Sequence, residues 1–331
     1  MSGAGGHAFP SDLDRQIDRA VDLLRAGELV AFPTETVYGL GADAANDDAL
    51  QRLYEVKGRP STHPVIVHVA SIDQLDDVAV NVSDAARALA HACWPGPLTI
   101  VVARRPGAVS TLATGGLETV GVRVPAHPVA LEFLRRFGGG VAAPSANRFG
   151  RVSPTQAAHV WADLGTDVAM VLDGGPSRVG VESTIVDCTQ GQPSVLRAGG
   201  VTAADITRVV GVGLGAPSST RAPGTLAAHY APHARVELVT AGELGTRVAE
   251  HRASGQIVGV LALAEVVDRA SLPDDVVVLA RPRDADAYAH DLYDALRNAD
   301  AHGVEYVLAV APLTDGIGAA VADRLRRASH Q

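Results

Sequence analysis

A break at residues 211–234 limits the fold of this chain more than any other feature. Gly211, Gly213, Gly215, Pro217, Pro223, Gly224 and Pro232 fall in it, with Ser218 and Ser219 among them. Glycine frees the backbone and proline removes a donor, so neither helix nor strand runs easily through such a stretch. It reads as a linker. It is also long for a connection in a compact protein, which suits a lid formed by residues 218–233. The chain is therefore expected to divide into a larger domain at 1–210, a linker or lid at 211–234 and a smaller domain at 235–331. The Gly-Val-Gly-Leu-Gly-Ala run at 211–216 lacks the third glycine of a dinucleotide fingerprint at the right spacing and follows a helix, so that reading is rejected.

The two sides of the break are patterned differently. Before it, apolar strands at 29–32, 65–69, 98–103, 120–124, 141–143, 168–172, 183–187 and 194–197 alternate irregularly with helices. Those helices are expected from Ser11 to Gly27, from the Asn46-Asp47 cap to just before Pro60, and at 83–93, 127–137, 155–164 and 202–210. Such an order predicts a mixed, twisted sheet with flanking helices and not a pure βαβ repeat. After the break, strands at 236–239, 257–263, 276–279 and 306–310 and helices at 241–253, 285–301 and 317–328 predict a small parallel α/β domain. Aromatics are only 4% of the chain, so both cores are built mainly from Val, Leu, Ile and Ala.

Charge and cysteine usage exclude several classes. The net charge of −9 divides into −5 for residues 1–210 and −4 for the rest. Neither part offers the excess of cations that drives binding to nucleic acid or to an anionic membrane, so neither partner is expected. Cys93 and Cys188 make no disulfide framework or four-cysteine zinc site and read as core residues. No apolar run spans a bilayer, and Met1–Pro10 lacks the pattern of a signal peptide; a cytoplasmic protein is expected.

Of the 28 basic residues only Lys57 is a lysine. It stands in Lys57-Gly58-Arg59-Pro60 at the end of a helix, where cations also cap carbonyls. A loop that presents an ammonium and a guanidinium to a polyphosphate is the functional alternative. Because Gly58 follows the lysine, a P-loop is excluded. Pro33–Gly41 follows a buried strand and carries Thr34, Glu35 and Thr36, the place where open α/β sheets hold ligands. Ala143–Asn147 follows another strand. There Ser145, Asn147 and Ser153 offer neutral donors, and Arg148 and Arg151 offer charge. Thr155 is expected to cap a helix whose N-terminus could face an anion. Ser183 sits at a strand mouth, and Arg197 ends a strand before Gly199-Gly200. His63 and His68 face different ways, and Pro232 separates His229 from His233. Neither makes a metal pair, and the latter two read as surface polar residues. No arrangement for a covalent nucleophile is evident.

In order along the chain, PTETVYGLG (33–41), KGRP (57–60), WPGPLT (94–99), GVRVP (121–125), APSAN (143–147), SPT (153–155), ESTIVD (182–187), LRAG (196–199) and HYAP (229–232) resemble the L-threonylcarbamoyladenylate synthase family in its long form. The resemblance implies a YrdC-like catalytic domain at 1–210 followed by a smaller Rossmann-like domain. It implies that L-threonine, bicarbonate and ATP give threonylcarbamoyladenylate and pyrophosphate by nucleotidyl transfer. The product would pass to a complex that makes threonylcarbamoyladenosine in tRNA. Lys57 and Arg59 are implied as the catalytic cations on the ATP phosphates. His63, Thr119, Ser145, Asn147, Ser153 and Arg197 are implied around the nucleotide, with Tyr230 folding back over it. Thr36, His68, Arg123, the backbone of Ala143 and Ser183 are implied around threonine. Mg²⁺ would come with ATP, with no metal site in the protein. The stretch before HYAP, Thr225–Ala228, has no basic side chain, so no phosphate contact is expected from it.

Three rivals follow from the same residues. A nucleic-acid module would need more than the local charge of Arg148 and Arg151. A carbamoyl-transferring maturation factor would need cysteine-rich zinc modules. A threonine-binding regulator would need no grip on a triphosphate, against which Lys57 and Arg59 speak.

Overall fold

The structure is a computed structural model that describes residues 11–216, 218, 220–224 and 229–330. Within the expected lid, residues 219 and 225–228 lie outside the described set.

Ten strands before the break make one mixed sheet. Its spatial order is Ser194–Arg197, Thr184–Asp187, Leu98–Arg104, Thr119–Arg123, Ile66–His68, Val141–Ala142, Gly39–Asp43, Val30–Phe32 and Met170–Val171, with Ala79–Val80 also on Leu98–Arg104. Parallel and antiparallel neighbours alternate irregularly across it. The strand Val30–Phe32 shows why both faces are covered. Ala31 packs with Leu50, Leu53 and Val67, whereas Val30 and Phe32 pack with Ile17, Leu24 and Phe133. Alternate side chains leave a strand on opposite faces, so an unbroken apolar run needs a helical layer on each side. Helices Ser11–Arg25 and Pro128–Phe137 supply one layer; Asp47–Lys57, Asp84–Cys93 and Ala157–Leu164 supply the other. Cys188 is buried and Cys93 is half-buried against the same core.

Two local expectations are corrected. Gly39–Asp43 is a strand, paired antiparallel with Val30–Phe32, so the ligand segment is the turn between them. Thr155 caps nothing: the helix begins at Ala157 with Gln156 at its N-cap, and the Thr155 amide is tied instead to His159 Nδ1 at 3.2 Å. No anion site is therefore built at that helix.

After the break, Arg235–Leu238, Tyr306–Ala309, Val258–Leu261 and Val277–Ala280 form a wholly parallel sheet in that order. Helix Ala264–Ala270 was not foreseen; it is short and buries only Val267, so its apolar periodicity is faint. No helix among the described residues is long and apolar enough to cross a membrane.

The two sheets are joined by apolar packing. Tyr288, Leu292, Leu296 and Leu325 of the second sheet's helices share one cluster with Val37, Val152, Val181 and Tyr230. Gly180 marks the closest approach. Its φ is +82°, and a Cβ there would lie 2.3 Å from the Ala289 carbonyl oxygen on helix Ala285–Ala301. Gly180→Ala is therefore expected to lower unfolding stability by about 1–3 kcal/mol through overpacking and strained backbone, read as an earlier urea midpoint than wild type.

Candidate active site

The central strands deliver a ring of polar side chains to one end of the sheet. Ile66–His68 and Thr119–Arg123 pair in parallel, with His68 opposite Arg123, so both finish at the same edge. Leu98–Arg104 and Thr184–Asp187 also pair in parallel but run the opposite way, so both begin at that edge, and Thr99 Oγ1 lies 2.8 Å from Ser183 Oγ. The turn after Val30–Phe32 closes the third side. Thr34 Oγ1 caps that turn by donating to the Val37 carbonyl at 2.6 Å and sits 2.8 Å from Thr36 Oγ1. Together these elements line one partly open cleft.

Nine of the expected residues line this cleft: Thr36, Arg59, His68, Arg123, Ala143, Ser145, Ser183, Arg197 and Tyr230. His63 lines a smaller neighbouring cavity that shares Arg59, Gly224 and His229 with the first. Lys57, Thr119, Asn147 and Ser153 are not on the wall of the main cleft. Lys57 is buried, and its Nζ donates to the carbonyls of Ser145 and Asn147 at 2.5 and 2.6 Å. The ammonium thus holds the cleft-lining loop from behind instead of facing a phosphate. Burial, then the nearby Arg59 charge, push its pKa well below the ordinary lysine value. The Asn147 Nδ2 donates inside the same loop to the Arg148 and Arg151 carbonyls, while its Oδ1 is buried without a partner among the described residues. Thr119 stands in the sheet opposite Ala103.

The two arginines on which a nucleic-acid reading would rest turn to other partners. Arg148 pairs with Asp167, and Arg151 reaches His233 and Asp300 at the second domain. His229, expected at the surface, is buried on the cleft wall; His233 is exposed.

Three guanidinium groups face the cleft, each held by its neighbours. Arg123 Nη2 pairs with Glu35 at 2.7 Å, and its Nε donates to the Gly96 carbonyl. Arg197 donates through Nε and Nη2 to the Ser183 carbonyl and through Nη1 to that of Pro223. Arg59 donates to the Pro64 carbonyl, and its buried Nε has no partner. Glu182 was not foreseen as a site residue, and Glu35 was read only as a carboxylate in the turn placed for a ligand, without its partner. Their positions in PTETVYGLG and ESTIVD were visible, but their partners come from distant sequence. Ser153 Oγ donates to Glu182 Oε1 at 2.6 Å, and Arg324 Nε donates to Oε2 at 2.8 Å. Burial alone would raise the Glu182 carboxyl, yet Arg324, Arg197 and the Ser153 hydrogen bond hold it down at about 2. His68 Nδ1, His229 Nδ1 and the Tyr230 hydroxyl are buried without partners among the described residues. Buried polar atoms are nearly always paired, so these mark where a ligand's polar groups belong.

Comparison with known proteins bears directly on this cleft. A family described as telomere recombination matches residues 22–199, and the C-terminal domain of threonylcarbamoyl-AMP synthase matches residues 201–330. The threonylcarbamoyl-AMP synthase of Bacillus subtilis is 42% identical over 324 residues, covering 96% of this chain and 93% of that protein. The chain belongs to the threonylcarbamoyl-AMP synthase family. The synthase of Pyrococcus abyssi is 40% identical and covers 94% of this chain and 93% of its own length. In three dimensions, P. abyssi Sua5 complexed with L-threonine superposes with a TM-score of 0.87 at 40% identity, over 96% of this chain and 94% of that one. A variant of P. abyssi Sua5 with a neighbouring His and Tyr replaced by Ala matches with the same TM-score at 39% identity, over 96% and 93% of the two chains. Family membership therefore extends over both sheets.

Burial, then the neighbouring Arg123 charge, push His68 down to about 3, and burial also brings His229 to about 3. Both are neutral when folded, whereas in the unfolded chain each takes up a proton near the ordinary value of 6.5. The unfolded state thus binds more protons below that pH, and stability falls as pH drops from 6.5 toward 3. Each such histidine is expected to cost up to about 1 kcal/mol over the first pH unit below 6.5. Denaturant titrations at several pH values check this: His68→Asn should flatten the acid slope relative to wild type.

Proposed function

We infer that the chain is a threonylcarbamoyl-AMP synthase that condenses L-threonine, bicarbonate and ATP to threonylcarbamoyl-AMP and pyrophosphate. The observation that carries this reading is one cleft lined by Thr36, His68, Arg123, Ala143 and Ser183 together with Arg59, Ser145, Arg197 and Tyr230. An amino-acid subsite and a nucleotide subsite then share a wall. We assign the Arg123 guanidinium, oriented by Glu35, to the threonine carboxylate. Ser183, fixed by Thr99 and Arg197, and the Ala143 backbone complete that side. Arg59 and Arg197 face the phosphates, and Tyr230 covers the nucleotide.

The chemistry needs no nucleophile from the protein. Bicarbonate loses hydroxide to give carbon dioxide, the neutral threonine amine bonds to its carbon as a C–O π bond opens, and the nitrogen gives up a proton, so that water leaves and a carbamate remains. A carbamate oxygen then bonds to the α-phosphorus of ATP as the bond to pyrophosphate breaks. This is nucleotidyl transfer, and the enzyme contributes placement and cations that oppose the charge on the departing group. The cleft's Glu182 is occupied by Arg324, Ser153 and Tyr293, and Glu35 by Arg123 and the Ala126 amide. With its carboxylates so engaged, Mg²⁺ enters as part of the MgATP substrate, carried by phosphate oxygens and water. The mixed anhydride is hydrolysable, so its place is in a reaction sequence whose next step transfers the threonylcarbamoyl group to tRNA in the cytoplasm.

The deciding experiment incubates the protein with ATP, L-threonine and bicarbonate and measures pyrophosphate. Release that depends on threonine supports the reading; release indifferent to threonine overturns it. The subsites are separated by two substitutions. Arg123→Ala should weaken threonine binding by about 2–3 kcal/mol, the scale of a charge-assisted contact, and leave ATP affinity close to wild type. Arg59→Ala should lower turnover at least about tenfold while threonine affinity persists. Calorimetric titration of each ligand separately checks both.

A further inference from the structure

Tyr230 sits in a conformation that its own backbone disfavours. Its φ is +64°, in the left-handed region that a bulky side chain enters only when its surroundings enforce it. Among the described residues the hydroxyl has no hydrogen-bond partner. First-domain Val37, Val152 and Val181 pack in its cluster and Gly150 accepts from the next amide, and the second domain adds further contacts. The Tyr293 ring, on helix Ala285–Ala301, is stacked on Tyr230 with centroids 5.7 Å apart and planes at 29°. The Arg324 guanidinium, on helix Gly318–Ala328, lies 5.2 Å from the Tyr230 ring centroid. The preceding His229 amide donates to the Arg327 carbonyl on that same helix.

Arg324 and Tyr293 are themselves fixed by one atom of the first domain. Arg324 Nε and the Tyr293 hydroxyl both donate to Glu182 Oε2 at 2.8 Å. Arg324 Nη2 donates to the Ala198 carbonyl at 3.0 Å. A fully buried arginine on a domain whose own sheet lies away from the cleft is costly unless it is completely paired. Here Nη1 pairs with Asp323 on its own helix, Nε and Nη2 pair toward the cleft wall, and the cation faces the aromatic ring that lines it.

We propose that Tyr293 and Arg324 of the second domain are positioning residues for the reaction: anchored on Glu182, they hold the Tyr230 ring as a wall of the cleft. This rests on the synthase reading above, and it gives the second domain a part in turnover. The residues touch neither reacting group; they act through Tyr230.

The test uses the full chain with Tyr293→Leu, Arg324→Gln and Arg324→Lys, and Arg326→Gln as a control on the exposed side of the same helix. Tyr293→Leu removes the stack while leaving Glu182 paired to Arg324 and Ser153, so it reports even if Arg324→Gln does not fold. In folded protein, Tyr293→Leu and Arg324→Gln are expected to lower kcat at least about tenfold, with the threonine Kd within about twofold of wild type. Arg324→Lys should recover part of the loss, and Arg326→Gln should match wild type. An interface role alone would lower the melting temperature and leave kcat of the folded enzyme untouched, so folded Tyr293→Leu with wild-type kcat overturns the proposal. Hydrogen–deuterium exchange of residues 229–234 reads the positioning without turnover. Faster exchange in Tyr293→Leu supports it, and unchanged exchange overturns it. If wild type shows no threonine-dependent pyrophosphate, the synthase reading fails, and the exchange result still decides whether Tyr230 is held from the second domain.

Discussion

The Glu182 carboxylate is the constraint on which the rest of the molecule turns. It is a buried charge, and a buried charge without partners costs several kcal/mol. Its partners are drawn from three places: Ser153 beside the cleft-lining loop, and Tyr293 and Arg324 on two helices of the second domain. Replacing such a cluster with apolar residues would often be neutral for stability, so its value lies in register. Only one mutual placement of the two domains satisfies all of these donors. The apolar layer of Val37, Val152, Val181, Leu292 and Leu296 supplies the attraction, and the polar cluster selects the alignment.

The cleft follows from that alignment and from strand register. His68 and Arg123 come together because two parallel strands end level, and Ser183 is reached by Thr99 because two other parallel strands begin level at the same edge. Each cation on the wall is held by a carbonyl or carboxylate before any ligand arrives. Such preorganisation spares reorganisation when negative charge develops. Lys57 belongs to this design in a different way. Its ammonium closes the Ser145–Asn147 loop from the inside, so the lone lysine of the chain shapes the site without standing in it.

Much of this was legible from residue types and spacing. The mixed sheet, the second parallel sheet and most helix ends were fixed locally, by caps such as Asn46 and Thr202 and stops such as Gly58 and Gly211. Thr36, His68, Arg123, Ala143 and Ser183 were picked out by the resemblance of their motifs, and the structure brings them to one cleft because strand ends, the turn after one strand and the start of another meet there. Thr155 was misread because a helix start is settled by a competing partner, His159, that no local pattern reveals. Gly39–Asp43 was misread because small residues weaken strand propensity, whereas close packing of Phe32 and Val141 over them requires small residues.

By itself, the sequence determined which residues lie on strands and helices, where the chain breaks, and which segments carry donors and charge. These depend on interactions a few residues apart. Only the tertiary structure decided the direction each charge takes. Lys57 turns inward to two carbonyls, Arg151 turns to Asp300, and Arg324 crosses to Glu182 from the far end of the chain. The physical reason is that a buried charge is satisfied by whatever partner the folded backbone brings within about 3 Å, and that partner can be any distance away in sequence.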